Sequence, residues 1–241
     1  MARSAMVIFQ FTVSACFIMA SIMVYRQIEF LQAQNPGFSK ENVVCITNAA
    51  NLDKNLVPFK NEVRANESFV DAAYCSHIPS EIIPASGYRK KGVIPWGAAH
   101  EYYVDEDYLN TLNLQLADGR FFSRDFISDS TAVILNESAA RLLGVTNLDQ
   151  KEYVEEAGEP GLFEVVGIVK DFNFESLRST IKPLVIYNGG QSRMLIRVTG
   201  GNYSDKISQL ETMWKKYSSA PFEYTLLDER LEAQYQSEEK L

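Results

Sequence analysis

Two histidines, His77 and His100, are the only imidazoles in the 241-residue chain. With so few, a histidine-based metal cluster or a Ser-His-Asp triad has little to build from. His77 stands just before Ile78-Pro79 at a predicted strand end and His100 just ahead of another strand, positions that suit ordinary loop or edge residues. Asp105-Glu106-Asp107 groups three carboxylates, but acidic side chains favour a helix N-terminus, and capping of a short helix by Asp105 accounts for the run. The phosphate-cradling GxxxxGK[ST], and the GxGxxG, HExxH and GxSxG patterns, do not occur. The residues therefore predict a non-catalytic protein with no cofactor and no metal.

Two features could make contacts with a partner. Ile94-Pro95-Trp96-Gly97 sets a large aromatic in a turn-rich loop, and tryptophan is a frequent interface anchor. The alternative is a Trp96 ring lying on the domain's own surface. Arg89-Lys90-Lys91 is the one dense basic run and reads as a solvated hairpin tip. Cys16, Cys45 and Cys75 form no CxxC pair, so zinc and thioredoxin-like chemistry have no support. Cys16 lies in an apolar segment. Cys45 and Cys75 each fall in a predicted strand, to be bridged if the strands are neighbours in an oxidising compartment, and otherwise to remain buried thiols.

These residues need a scaffold, and the composition supplies one. A hydrophobic share of 46% supports a sizeable core rather than disorder. The net charge of -8, without a basic face, argues against nucleic-acid binding, which requires clustered Lys and Arg. Residues 5–24 carry no charge, and a helix of that length spans a bilayer core of about 30 Å. A signal peptide has a shorter apolar core, about 7–15 residues, and a small-residue cleavage site. Here the run passes straight into Tyr25-Arg26-Gln27, so an uncleaved anchor is predicted. Arg3 and Arg26 flank both ends, and positive charge does not fix orientation. Tyr25, Ile28, Phe30 and Leu31 continue the helical pattern as a stalk until Asn35-Pro36-Gly37.

Beyond the stalk, residues 43–47, a helix carrying Leu56, Phe59 and Val63, and residues 69–75 read as β-α-β. Residues 194–198, an amphipathic helix with Ile207, Leu210, Trp214 and Tyr217, and residues 222–227 read as a second such unit. Two β-α-β units around an insertion are what a split, ferredoxin-like layer needs. Between them lie predicted strands at 101–104, 131–135, 163–172 and 183–187, a turn at Gly119-Arg120, and a helix capped by Asn136 and ended by Gly144. Residues 151–161 read as polar and turn-rich. Residues 228–241 are helical in composition, and the chain stops there without a domain-ending signal.

Several segments together resemble the MacB/FtsX-like ABC-transporter permeases of the Bacteroidota type. These are VIFQFTVSACFIMASIMVYRQIEFLQ with NPGFSKENVV, VDEDYLNTLNLQLADGRFFSRDF (104–126), AVILNESAARLLG with VVGIVKDFNFESLRSTIKPLV (132–185) and PFEYTLLDERLEAQYQSEEKL (221–241). The opening FQFTVS…VYRQ is more similar to the second of two periplasmic domains in such permeases. The resemblance implies an α+β fold: a transmembrane helix (1–25), a stalk helix and turn (26–40), a porter-like lobe of two β-α-β units (41–126 and 189–227), an inserted β-rich lobe (127–188) and a C-terminal stalk (228–241) leading to a further membrane helix. It implies a bacterial inner-membrane protein with its main domain in the periplasm, a separate cytoplasmic ATPase subunit, a dimer of permeases, and a periplasmic protein or exported substrate as partner. Residues 25–34 and 228–241 would carry ATP-driven motion as paired stalks. The FNFESLRSTIKP stretch would pack between lobes. A sensor ectodomain preceding a signalling domain is the alternative, and would show a pocket of convergent polar groups. A membrane-tethered hydrolase would need a nucleophile motif, which the sequence lacks.

Overall fold

The computed structural model describes residues 2–33, 36–175 and 180–238. The chain divides into two units, one up to Asn35 and one from Pro36 onward. The first is helix α1 (Ala2–Ala33), unbroken because it holds neither Gly nor Pro. Its stretch Met6–Arg26 has a mean hydropathy of 2.1 and is long and apolar enough to cross a bilayer. Thr12 turns its hydroxyl back to donate to the Ile8 carbonyl at 2.9 Å, which removes a polar group from the apolar surface.

The second unit runs β1 (Val43–Ile46), a 3-10 segment (Ala49–Asn55), α2 (Leu56–Arg64), β2 (Phe69–Cys75), β3 (Ala85–Lys90), β4 (Gly97–Val104), α3 (Tyr108–Leu112) and β5 (Leu116–Gly119). A second 3-10 segment (Ile127–Thr131) leads to β6 (Ala132–Asn136), α4 (Glu137–Leu143), β7 (Glu152–Glu156), β8 (Phe163–Val169), β9 (Leu184–Asn188), β10 (Arg193–Val198), α5 (Tyr203–Tyr217), β11 (Tyr224–Leu226) and α6 (Leu227–Glu238).

Strands β11-β1-β10-β2 form an antiparallel layer built from the two β-α-β units, interleaved as in a ferredoxin-like fold. Alternation splits their side chains between two faces. Val44, Ile46, Ala72, Met194 and Ile196 face α2 and α5, where Phe59 meets Trp214 edge to face at 5.7 Å. Each such fully buried apolar side chain contributes about 1.5–3 kcal/mol. The opposite face carries Val43, Cys45, Ala73, Cys75 and Leu195.

The remaining strands close on themselves. β4-β3-β7-β8-β6-β9 pair in that order, and β9 returns to β4 in parallel, which completes a ring. All six strands send side chains inside it, among them Tyr88, Ala99, Val133, Val154, Val165 and Val185. Helix α4 touches β3, β4, β6, β8 and β9 and stoppers one mouth with Ala139, Ala140 and Leu143. Asn136 starts that helix by accepting from the Ala139 N–H at 2.8 Å, and Gly144 ends it at φ +69.

The ring's outer side packs on the free face of the ferredoxin-like layer. Tyr102, Val104, Ile134, Leu184 and Ile186 join Cys45, Cys75 and Leu195 in one core. The sheet itself is continuous across the junction through the Cys75–Val104 pair. Phe172 and Phe174 of the FNFESLRSTIKP stretch lie in this shared core; residues 176–179 of that stretch are outside the described residues.

Three expectations change. Residues 151–161 contain strand β7, which period alone could not reveal: Val154 is its one buried apolar residue, and it is held by pairing on both edges. Residues 85–104, expected with the two β-α-β units, hydrogen-bond to β7 and β9 and so belong to the strand ring. Cys45 and Cys75 do not lie on neighbouring strands, since β10 runs between them; both are free and buried.

Gly190 sits where the ring returns to the layer, at φ +87, and a Cβ there would stand 2.6 Å from the Tyr103 carbonyl oxygen. Gly190→Ala is therefore expected to destabilise the chain by more than about 1 kcal/mol in urea unfolding, whereas Gly200→Ala, which faces open space, leaves the midpoint nearly unchanged.

Candidate functional site

Three chain connections meet where the layer joins the ring. Residues 76–84 link β2 to β3, residues 189–192 link β9 to β10, and β4 runs on into the turn at 105–107. They are stitched by backbone and hydroxyl groups. Ser76 N–H donates to the Tyr103 carbonyl (2.8 Å), Ser192 hydroxyl to the Ser76 carbonyl (2.8 Å), and Tyr102 hydroxyl to the His77 carbonyl (2.6 Å). His77 and His100 both serve as local hydrogen-bonding residues. His77 Nδ1 lies 2.9 Å from the Ser76 hydroxyl, and His100 Nδ1 lies 2.8 Å from the Ile83 carbonyl.

The C-terminal helix is bound to this junction. Leu227 and Leu231 of α6 enter the shared core, and so does Phe38 of the incoming segment, edge-on to Phe172 at 6.3 Å. Between the two leucines, Arg230 donates through Nε to Ser80 Oγ and through Nη2 to Glu81 Oε1, each at 3.0 Å. Glu81 Oε2 accepts from the Ile78 N–H at 2.9 Å, so the carboxylate belongs to the 76–84 connection. Glu81 Oε1 also lies 3.6 Å from Arg193 Nε at the start of β10.

A second lock holds α2 to the far side of the junction. Lys60, only 3% exposed, places its ammonium 2.5 Å from Asp105 and 2.6 Å from Asp107. Arg64 reaches Asp107 at 2.9 Å and Asp71 at 3.1 Å, and Arg124 pairs with Glu106. The carboxylates thus hold cations: Asp105 Oδ2 faces Lys60 and accepts from the Tyr74 N–H, while its Oδ1 accepts from the Asp107 N–H at 3.2 Å, so the role expected of Asp105 at the helix start is combined with ion pairing. Lys60 accounts for the cluster, since its buried charge needs paired carboxylates.

The sequence-selected contact residues come together at the β3–β4 turn. Arg89 and Lys90 lie in β3 itself, where they pair with Glu155 (2.5 Å) and Glu152 (2.7 Å) of β7, so only Lys91 opens the turn. The Lys91 ammonium stands 5.5 Å from the Tyr153 ring centroid. Arg89 stacks its guanidinium 4.4 Å from the Trp96 ring, which also rests near Gly87. Trp96 and Arg89 form one wall of an open groove of about 610 Å³; Glu159, Pro160 and Leu162 of the β7–β8 hairpin form the other. Trp96 remains 44% exposed and Ile94 beside it 84%, an apolar tip with a charged rim.

A family model, described as the MacB-like periplasmic core domain, matches residues 12–210, most of the chain. The chain belongs to this family. Three solved structures share the fold. The periplasmic region of MacB from Actinobacillus actinomycetemcomitans aligns with TM-score 0.55 at 15% identity, over 87% of this chain and 98% of that one. A permease-protein domain from Porphyromonas gingivalis aligns with TM-score 0.54 at 12% identity, over 78% and 89%. The extracellular domain of YknZ, a noncanonic ABC-type transporter from Gram-positive bacteria, aligns with TM-score 0.50 at 12% identity, over 76% and 98%. A comparison with curated proteins returns no match. The molecule is thus an α+β periplasmic domain of a MacB-like ABC-transporter permease, with one N-terminal apolar helix.

In this MacB-like domain, sequence reasoning passed over Lys60, Glu81, Arg193 and Arg230. Lys60 carried a usable signal, since it shares the helix face of Leu56, Phe59 and Val63. Arg230 and Glu81 are far apart in the chain, and nothing local marks them as partners.

Burial raises the Asp105 carboxyl to about 6, against the opposing pull of Lys60 and the Tyr74 N–H. The folded chain then holds a proton that the unfolded chain has released between about pH 4 and 6, so this group's stabilisation is full at the acid end and is lost as pH rises through 6. Relative to Asp105→Asn, the parent chain is expected to lose on the order of 3 kcal/mol between pH 4 and pH 7, read from urea unfolding across that range.

Proposed function

We propose that this domain is a non-catalytic mechanical arm: it carries motion driven by ATP hydrolysis in a separate cytoplasmic ATPase subunit to a substrate or periplasmic partner. The permease would work as a dimer in the bacterial inner membrane. The observation that supports this most directly is the attachment of α6 to the 76–84 connection through Arg230, Ser80 and Glu81, beside leucines seated in the shared core. A displacement of α6 would be delivered where the layer and the ring meet rather than to either alone. We take the ferredoxin-like layer as the porter-like lobe and the ring as the inserted lobe, and assign partner contact to the groove of Trp96 and Arg89 with the neighbouring Lys90 and Lys91. On the groove wall Arg89 is already matched by Glu155, which favours a protein contact over a small-ligand sensor.

The test is Arg230→Met in the complete permease reconstituted with its ATPase. The variant is expected to keep its fold and its ATP turnover while losing most of the transport or partner activation per ATP. Parent-level output per ATP from a folded Arg230→Met permease would remove the mechanical reading.

A further inference from the structure

The β3–β4 turn leaves Val93, Ile94, Pro95 and Trp96 exposed one after another. Four consecutive apolar residues in water are uncommon on a monomer's surface and mark a contact. Ile94, the most exposed of the four, takes no part in lining the groove of about 610 Å³ beside the turn. The chain's own tip therefore stays outside its own groove, and the two stand side by side as knob and hole. Charge follows the same division. Arg89 and Lys90 are matched within the chain by Glu155 and Glu152. Two opposite charges are left over. Lys91, at the root of the tip, rests on the Tyr153 ring and has no carboxylate within 4 Å among the described residues. Glu159, on the groove wall with Pro160 and Leu162, has no cation within 4 Å among the described residues.

We propose that the groove takes a second copy of this chain: the tip of one copy enters the groove of the other, and the reverse contact forms across the same two-fold axis. A patch that carries both a knob and its hole is self-complementary, and a two-fold contact makes each interaction twice. Ile94 then packs against Pro160 and Leu162 of the second copy, which removes the apolar tip from water. Lys91 faces Glu159 of the second copy, so the two leftover charges are paired and tip-against-tip approach is disfavoured by like charge. Any other occupant would have to bring a basic, apolar segment to this groove; the chain already carries one next to it. The inference rests on the groove being the contact surface assigned above, and it names the protein that fills it.

Sedimentation of the full chain in detergent micelles tests it, with Lys91→Glu, Glu159→Lys and Ile94→Glu as variants, all at exposed positions where the fold has little to lose. The parent is expected to dimerise. Each variant is expected to raise the dissociation constant by at least about tenfold, since each sets like charges together twice in the two-fold contact. An equimolar mixture of Lys91→Glu and Glu159→Lys chains is expected to regain parent affinity, because every tip then meets a groove of opposite charge. A parent that stays monomeric, a dimer that none of the variants weakens, or a mixture as weak as its components would overturn the self-pairing. The same variants in the complete permease with its ATPase separate this from the mechanical reading. A weakened dimer with parent-level output per ATP keeps the self-pairing and removes the groove from that reading. No self-pairing, in a permease that still loses output on Arg230→Met, overturns the second copy and leaves the mechanical reading in place.

Discussion

The hydroxyls of Tyr102 and Tyr108 meet at 2.7 Å, fully buried, and the first of them also donates to the His77 carbonyl. Around this pair lies the apolar core that the ferredoxin-like layer and the strand ring share. A buried hydroxyl without a partner is costly, so the pair fixes β4, α3 and the 76–84 connection in one register. Side chains from the layer and the ring, the incoming Phe38 and the α6 leucines pack against the same core. Interiors at crystal-like density transmit displacement rather than absorb it. The domain is therefore a ferredoxin-like layer and a strand ring with one common interior, and its junction is the stiff part.

That stiffness explains why charge clusters at the junction. Lys60 and its carboxylates bind α2 to the turn after β4, and Glu81 binds the 76–84 connection to α6 and faces β10. Apolar packing is non-directional and tolerates small slides, whereas ion pairs with hydrogen bonds specify position. The apolar core supplies the adhesion, and the ionic contacts determine which element moves with which. The Trp96 groove lies apart from this machinery on the β3–β4 turn, built by Arg89 and the glutamates of β7.

Much of the layer was legible because its signals are local. The helix face of Ile207, Leu210 and Trp214, the Asn136 cap and the Gly144 stop each follow from residues a few positions apart. The family resemblance rested on whole segments and is matched by the family model. What escaped was non-local. β7 reads as polar because its strand character comes from β3 and β8 on either edge. Ring closure depends on β4 meeting β9 across some eighty residues of chain, which no period encodes. Of the site, Trp96 and Arg89 could be picked out singly but not as a stacked pair, and the Arg230–Glu81–Arg193 contacts join three distant segments.

The central claim is that α6, the 76–84 connection and the shared core open and close as one body. Native-state hydrogen exchange on the full chain tests it directly. The account predicts that the amides of the first turns of α6, of Glu81 and of β2 and β4 exchange through a single opening, with one free energy and one denaturant dependence. If the α6 amides instead exchange through a separate opening of much lower free energy while β2 and β4 stay protected, the helix is a loose appendage and the account is contradicted.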